Sequence, residues 1–335
     1  MAMDALATLL DGPRARGAFL LRSVLTPPWS VQIADLAPLT LVHMVRGDAW
    51  IRTDDGQARL LRAGDIAVIR GPEPYVIAGD RETEPQIVIR PGQVSTDADG
   101  NELCEQMNLG VRTWGDNPDG AHGADGAGNS AAEQTPLPAV MISGTYQMRG
   151  EISSRLLSAL PQVLVLAQDA WSSPLPALLS EEIVRDEPGQ EVVLDRLLDL
   201  LLIAVLRTWF ARPEAKAPAW YAAQSDPVVG PALRLLHDDP ARPWTVADLA
   251  AQTGVSRAAL GRRFTDLVGE PPMAYLTGWR LALAADLLRE PDATIASVAR
   301  RVGYSSPFAL SAAFKRVRGI SPQQHRERTP AAASS

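Results

Sequence analysis

The stretch VADLAAQTGVS, residues 246–256, returns later in the chain as IASVARRVGYS, residues 295–305. In each copy apolar residues recur at helical spacing before a glycine, and a serine follows two residues after that glycine. Such spacing predicts a helix with one buried face, and glycine suits the left-handed backbone of a sharp turn. Each copy therefore predicts a helix-turn-helix motif, with Gly254 and Gly303 at the turns.

The repeat continues beyond these stretches at an offset of 49–50 residues. It comprises three matched pairs: Phe264 and Phe314, Gly269 and Gly319, Pro272 and Pro322. We predict a first motif over about 245–267, a linker helix over about 272–290 and a second motif over about 294–318. A single signal of this kind would fit any helical hairpin, and a duplicated hairpin with no role in DNA binding is the alternative.

The charge of the chain is distributed unevenly. Residues 228–335 hold 14 Lys and Arg against 9 Asp and Glu, whereas residues 1–227 hold 18 against 30. A basic end on an acidic body indicates that nucleic acid binds at that end.

A helical wheel divides the second helix of each motif into a core face and an outward face. The predicted core faces are Leu260, Phe264 and Leu267 in the first motif and Leu310, Phe314 and Val317 in the second. Outward residues of such a helix are those that a major groove meets. The candidates for base contacts are Ala258, Gly261, Arg262, Thr265, Pro307, Phe308, Ala309 and Ala312. The candidates for phosphate contacts are Ser256, Arg257, Arg263, Arg301, Ser305, Ser306, Lys315, Arg316 and Arg318.

Two of these residues have specific alternatives. Arg262 is the first choice for reading a base because arginine pairs bidentately with guanine, but it could be an exposed solubilising charge. Phe308 is a large apolar ring where solvent is expected, which contact with a thymine methyl group would explain. Its alternative is packing against the linker helix.

Residues 228–335 resemble the DNA-binding domain of AraC/XylS-type transcriptional regulators. The residues that carry the resemblance in the first motif and linker are Leu249, Ala250, Gly254, Ser256, Leu260, Arg262, Phe264, Gly269, Pro272, Tyr275, Leu276, Arg280, Ala284, Leu287 and Leu288. Those in the second motif are Ile295, Val298, Ala299, Gly303, Tyr304, Phe314, Lys315, Gly319, Pro322 and Arg326. The resemblance implies two helix-turn-helix units joined by a helix, transcriptional activation, and RNA polymerase as a partner. Ala312 departs from the family, in which many members carry an arginine there.

The N-terminal half shows short β-rich runs between Gly17 and Arg90, separated by turn residues. This pattern predicts a small antiparallel barrel or sandwich. It is similar to the cupin-like sensory domain of a subset of AraC-type regulators. The carrying segments are 27–33 (PPWSVQI), 39–51 (LTLVHMVRGDAWI), 60–77 (LLRAGDIAVIRGPEPYVI) and 155–166 (RLLSALPQVLVL). The candidates for an effector pocket in this domain are Trp29, His43, Trp50 and Tyr75.

Catalytic chemistry is not expected in the N-terminal half. Metal-dependent cupins resemble one another in a His-x-His pair with a Glu and a later His, whereas His43 stands alone. One imidazole does not build a catalytic metal site, which usually has three protein ligands. We therefore predict no catalytic residue, no metal and no cofactor. Cys104 is a candidate redox sensor, with an incidental or buried thiol as the alternative.

The predicted fold class is α+β, a cupin-like β-barrel with following helices and then an all-α DNA-binding domain. The expected boundaries are 1–210 for the sensory domain, with a mobile loop over 108–138, 211–227 for a linker, 228–328 for the DNA-binding domain and 329–335 for a disordered tail. The helix over 190–210 is apolar on nearly all sides, which predicts either an intrachain core or a dimer interface.

These features predict a sequence-specific, DNA-binding transcription regulator, an activator, in a prokaryotic cytoplasm and associated with the nucleoid. The expected partners are double-stranded DNA, RNA polymerase, a second copy of the chain and a small-molecule effector, with no membrane. A single cysteine excludes an intramolecular disulfide framework, and no signal peptide is expected at the N-terminus. Two alternatives stay open: an N-terminal half that serves only dimerisation, and a cupin metalloenzyme fused to the DNA-binding domain.

Overall fold

The computed structural model describes residues 19–117, 136–146, 150–212, 215 and 217–328. The chain divides into two compact units. The β unit comprises the described residues up to 146 and from 160 to 215, and the helical unit comprises those of 150–159 and 217–328. The predicted sensory domain ran without interruption to residue 210, so the grouping of 150–159 with the helical unit differs from that boundary.

Two six-stranded sheets form the β unit. Their strands are β1 Phe19–Leu25, β2 Ser30–Ile33, β3 Leu39–Arg46, β4 Ala49–Thr53, β5 Ala58–Leu61, β6 Ile66–Arg70, β7 Tyr75–Ala78, β8 Ile87–Arg90, β9 Val94–Asp97, β10 Thr113–Gly115, β11 Ala139–Tyr146 and β12 Val163–Leu166. The first sheet has the order β10-β1-β11-β3-β6-β12 and the second β5-β4-β7-β2-β8-β9. Side chains from both sheets share one apolar core, which includes Met44, Ile69, Ile51 and Ile77. The α+β, cupin-like prediction is confirmed.

The segment predicted as a mobile loop contains ordered structure at its start. Strand β10 pairs in parallel with β1, and the Trp114 side chain at its centre is only 7% exposed. The prediction of an unpacked loop is wrong there, because a large indole fills the core from a stretch with no strand-like alternation. Residues 118–135, the rest of the predicted loop up to its last three positions, lie outside the described residues.

Two helices of eight residues or more follow the strands in the β unit: α2 Leu175–Glu182 and α3 Gln190–Phe210. Helix α3 packs closely against β11, because Gly144 leaves room for the Leu198 side chain and the Tyr146 hydroxyl donates a hydrogen bond to the Leu198 carbonyl oxygen at 2.7 Å. The opposite side of α3 exposes Val192, Val193 and Leu200. One side of helix α3 is thus buried in the core of the β unit, and the other side is exposed.

All described elements of the helical unit are helices. They are α1 Glu151–Leu157, α4 Ala219–Ala222, α5 Val229–Asp238, α6 Val246–Gln252, α7 Arg257–Val268, α8 Pro272–Leu287, α9 Ile295–Arg301, α10 Pro307–Arg318 and α11 Pro322–Arg328. The unit has two main apolar cores, and α8 contributes to both. Its Tyr275 and Leu276 belong to the core of the first motif, and its Leu281 and Ala284 belong to that of the second. Within the described ranges, no helix is long and apolar enough to cross a bilayer.

Candidate nucleic-acid interface

Helices α6 and α7 form the first motif, and local hydrogen bonds fix their ends. The Thr245 side chain accepts a hydrogen bond from the Asp248 backbone amide, and the Asp248 carboxylate accepts one from the Thr245 amide, which is a capping box. The turn passes through Gly254 at φ +69°, where a side chain would be strained. Ser256 then caps α7 by accepting a hydrogen bond from the Ala259 amide at 3.2 Å.

Helices α9 and α10 form the second motif with the same devices. Thr294 and Ser297 form the capping box of α9, and Gly303 makes the turn at φ +80°. The cap of α10 is Ser306, which accepts a hydrogen bond from the Ala309 amide at 3.1 Å. Its neighbour Ser305, also a candidate for a phosphate contact, is exposed.

The outward face of α7 agrees with the helical wheel. Leu260 and Phe264 are fully buried, while Ala258 and Arg262 are exposed, with Gly261 and Thr265 half-buried beside them. Leu267 was expected in the core, yet it is 39% exposed; in the last turn of α7 its neighbour Val268 packs against the core instead. The face of α7 that a groove would meet therefore carries short side chains, with Arg262 as the exception.

The outward face of α10 presents an aromatic ring instead of an arginine. Phe308 is 82% exposed, so the alternative that it packs against the linker helix is wrong. Pro307 and Ala312 are exposed on the same helix, and Ala309 is half-buried. Val317, expected in the core, is 56% exposed near the C-terminal end of α10, whereas Leu310 and Phe314 of the same predicted face are fully buried.

The basic residues divide into paired and unpaired groups. Three of the predicted phosphate ligands already hold a carboxylate within the chain: Arg263 with Asp226, Arg301 with Glu290, and Arg318 with Glu151. The remaining four cations of the two faces are exposed and form no hydrogen bond or ion pair through their side chains within the described residues. These are Arg257, Arg262, Lys315 and Arg316.

The Arg263–Asp226 pair has three hydrogen bonds between its side chains. The Arg263 guanidinium donates to both carboxylate oxygens of Asp226, with its Nη2 at 2.7 Å from Oδ2. The same carboxylate accepts the backbone amides of Val228 and Val229 at the start of α5. Together, and led by Arg263, these hydrogen bonds lower the pKa of Asp226 to about 2. Arg263 thus ties α7 to α5. Sequence reasoning missed Asp226, although an aspartate before a helix signals a cap.

The four effector-pocket candidates do not come together in the β unit. Tyr75 lines a narrow apolar cavity that also includes Asp35 and Thr40, and burial raises the pKa of the Tyr75 phenol. His43 lines a separate, more polar cleft. Trp29 and Trp50 line neither of these two sites: Trp29 is core.

His43 and Cys104 have ordinary local partners. The Nδ1 atom of His43 lies 3.4 Å from the backbone oxygen of Asp65, and burial lowers the pKa of the His43 imidazole. The Sγ atom of Cys104 is half-buried and accepts a hydrogen bond from the Ser95 amide at 3.4 Å. Among the residues that the structure describes, no three His, Cys, Asp or Glu side chains are grouped so as to hold a metal ion.

Comparison with known proteins places both parts of the chain. A cupin family model matches residues 4–211, and a helix-turn-helix domain model matches residues 249–328. A putative AraC-like transcription regulator of Streptomyces lividans is 30% identical over 333 residues, covering 97% of this chain and 98% of that protein. This chain belongs to the AraC-like transcription regulators. It is a DNA-binding regulator with a cupin-type sensory domain.

This AraC-type regulator is also similar to two proteins with more specific names. The RCS-specific HTH-type transcriptional activator RclR of Escherichia coli (strain K12) is 28% identical over 194 residues, covering 56% of this chain and 68% of that protein. The solved DNA-binding domain of AdpA, a global transcriptional factor in complex with a target DNA, is 34% identical. It covers 31% of this chain and 93% of that domain, with a TM-score of 0.30.

Proposed function

We propose that this AraC-type regulator activates transcription by reading two adjacent major-groove segments, one with each helix-turn-helix motif. The observation that carries the proposal is the pair of outward faces on α7 and α10, where the base-contact candidates include one large exposed side chain each, Arg262 and Phe308. Arg262 would read a guanine edge and Phe308 a thymine methyl group. The name of the relative RclR supports activation, and RNA polymerase is the partner that activation requires.

Phosphate contacts would come from the unpaired cations. Arg257 at the first turn of α7, and Lys315 and Arg316 on α10, are free to meet the backbone, and the caps Ser256 and Ser306 lie at helix N-termini, where phosphates bind well. Arg263, Arg301 and Arg318 would have to exchange a carboxylate for a phosphate. We therefore assign them to holding the helical unit together.

The β unit would serve as a non-catalytic receiver for a small effector. The cavity beside Tyr75 supports this assignment, because its lining is mainly apolar with a few polar groups, including the Asp35 carboxylate and the Thr40 hydroxyl. An effector that fits there would be small and mostly apolar. Cys104 remains a candidate redox group. We place the protein in the prokaryotic cytoplasm, at the nucleoid.

A homodimer through α3 completes the proposed assembly. The exposed side of α3 carries Val193 and Leu200, with the exposed Arg196 between them and Arg207 near the C-terminal end. Two copies packed about a two-fold axis would bury these apolar side chains against each other.

The test begins with DNA selection by the full-length protein. Repeated binding to random duplexes should enrich two sequence blocks about 10 base pairs apart, one for each motif. The enriched site, placed upstream of a reporter promoter, should raise transcription only when the protein is present. Failure to enrich any sequence would contradict specific recognition. A fall in reporter transcription would contradict activation while leaving recognition intact.

A further inference from the structure

Helix α1 belongs to a different unit from the elements that flank it in the sequence. It lies between β11 and β12, which are both strands of one sheet of the β unit, yet it packs in the helical unit against α8. We call residues 150–158 the brace. Its contacts, which involve Glu151 at one end and Arg155 toward the other, show what it holds.

At its first turn the brace joins α8 to α10. The Glu151 carboxylate lies 2.7 Å from Nη1 of Arg318, the last residue of α10, and the Glu151 backbone amide donates to Oδ1 of Asp286 on α8 at 2.6 Å. The Arg318 side chain is only 20% exposed, and its guanidinium lies 5.2 Å from the Phe314 ring. Glu151 is therefore the counter-charge of a mostly buried arginine in the second motif.

One turn later the brace reaches the side of α8 that belongs to the first motif. A Cβ atom at Gly278 would lie 3.2 Å from Nη2 of Arg155, so the guanidinium rests where α8 has no side chain. Gly278 is next to Trp279, whose ring lies 4.4 Å from that of His237 on α5. Burial chiefly, and then the Arg155 charge, lower the pKa of His237. The Arg155 side chain is thus close to the core of the first motif.

The close approach of brace and α8 depends on a glycine in each. A Cβ atom at Gly150 would lie 2.9 Å from the Asp286 carboxylate, as one at Gly278 would crowd Arg155. Glycine inside a helix is less favourable than alanine, so Gly278 needs a packing reason, and Arg155 supplies one. This surface of α8 is shaped to receive the brace.

The two motifs have separate cores, and α8 is the element that contributes to both. A single helix between two cores can bend and twist, which lets each motif shift relative to the other. The brace contacts α8 near both cores and grips α10 directly. In addition to the close approach of Gly303 to the Ala241 backbone, the brace makes a connection in parallel with α8, and this restricts such movement.

We propose that the brace fixes the separation of the two helix-turn-helix motifs and so makes the protein discriminate between DNA sites of different spacing. The proposal rests on the proposed use of both motifs on one duplex. A rigid pair of readers binds well only when both groove segments are presented at the matching rise and rotation. A loosened pair tolerates a shifted second block, although its affinity for the matching site is lower.

The experiment uses the full chain and the DNA site enriched by the wild type. Affinity is measured for that site and for a version with one base pair inserted between the two blocks. Glu151→Gln keeps the shape of the side chain and removes its charge, and it should reduce the wild-type ratio of the two affinities about fivefold. Glu270→Gln is the matched control, since it removes an exposed carboxylate from the same unit without freeing an arginine, and it should leave the ratio unchanged.

A double-mutant cycle ties the effect to the ion pair. Arg318→Gln should reduce the ratio as Glu151→Gln does, and the double variant should reduce it no further. Hydrogen exchange of the α1 amides should accelerate in Glu151→Gln, which shows that the brace has been released. If Arg318→Gln fails to fold, the isosteric Glu151→Gln variant still decides the question.

Two results would overturn the brace proposal. One is an unchanged ratio in Glu151→Gln; if both sites are weakened equally, the role of the brace is purely structural. The other is a loss of discrimination that also appears in Glu270→Gln. If the wild type enriches no sequence or only one block, the proposed use of both motifs fails instead, so the two failures are distinguishable.

Discussion

Two adjacent arginines on α7 differ in whether their charge is paired within the chain. Arg262 points away from the core with no partner among the described residues, while Arg263 is held by Asp226. We expect Arg262→Ala to lose about 1–3 kcal/mol of discrimination at one base pair, because an arginine that reads a base contributes that much. The measurement is binding of the variant to the enriched site and to its single-base mutants across a salt series.

Two neighbours serve as controls for Arg262. Arg257→Ala should weaken binding to all sequences alike and reduce the salt slope by about one, as loss of one phosphate contact does. Arg263→Ala should leave the salt slope unchanged, because Asp226 already occupies its guanidinium. If Arg262→Ala retains full base preference while Arg263→Ala loses it, the orientation of α7 in the groove is different from the one inferred here.

The buried imidazole of His237 predicts a pH dependence of stability. Its Nε2 lies 2.7 Å from the Tyr275 hydroxyl, and burial, with a smaller effect of Arg155, lowers its pKa to about 4. The unfolded chain takes up the proton near pH 6.5, whereas the folded chain does not until about pH 4. The free energy of unfolding should therefore fall as the pH drops from about 6.5 to about 4, by about 3 kcal/mol in total.

This loss should be absent when the imidazole is absent. His237→Gln keeps a hydrogen-bonding group beside Tyr275 and has no proton to take up. Hydrogen exchange of the α5 and α8 amides, measured at pH 7 and at pH 5, reports the opening free energy of this region. The same decrease in the wild type and in His237→Gln would show that other groups cause it.

At the scale of elements, the two turns of the repeat differ in the space around them. Both glycines have positive φ, but a Cβ atom at Gly254 would meet nothing within 4 Å, whereas one at Gly303 would lie 2.5 Å from the Ala241 backbone oxygen. Gly254→Ala should cost about 1 kcal/mol of stability for the backbone alone. Gly303→Ala should cost about 3 kcal/mol, because a backbone clash is added. Thermal unfolding of the two variants under one set of conditions compares them, and equal losses would contradict the prediction.

Helix α3 separates its core side from its exposed side clearly enough for a single substitution to test the dimer. Leu198 and Leu202 are buried against the β unit, so a charge at either would disturb the fold. Leu200 is 51% exposed on the opposite side, and Leu200→Glu should dissociate the dimer without unfolding it. Leu137→Glu, an exposed leucine elsewhere in the same unit, should remain dimeric. Sedimentation at micromolar concentration measures both, and a monomeric wild type would rule out the interface.

At the scale of the whole molecule, the sequence predicted whatever depends on local periodicity. The two motifs, their turns and the burial of Leu260 and Phe264 follow from spacing along single helices, and the structure confirms them. Leu267 and Val317 were misplaced because a wheel assigns a side to a residue but does not show which residues of that side meet the neighbouring elements. Trp114 was missed because its strand is three residues long and its partner β1 is distant in sequence.

Contacts between segments that are distant in the sequence could not be predicted from local periodicity. Nothing near Arg263 in the sequence indicates Asp226, and nothing near Arg318 indicates Glu151, which is 167 positions away. These ion pairs explain why a count of basic residues overstated the charge available to DNA. Exposed cations could be identified only once the paired ones were known.

The brace has a consequence for how such a protein can be divided or recombined. A fragment that starts after the linker, or a chimaera that joins this C-terminal third to another protein's receiver, would omit residues 150–158. Arg318 would then be left without Glu151, and the bare side of Gly278 would be open. A fragment or chimaera that keeps the helical unit intact therefore has to include residues 150–158 from the N-terminal half of the chain. The part of the protein that can be exchanged as a whole is larger than the helix-turn-helix region alone.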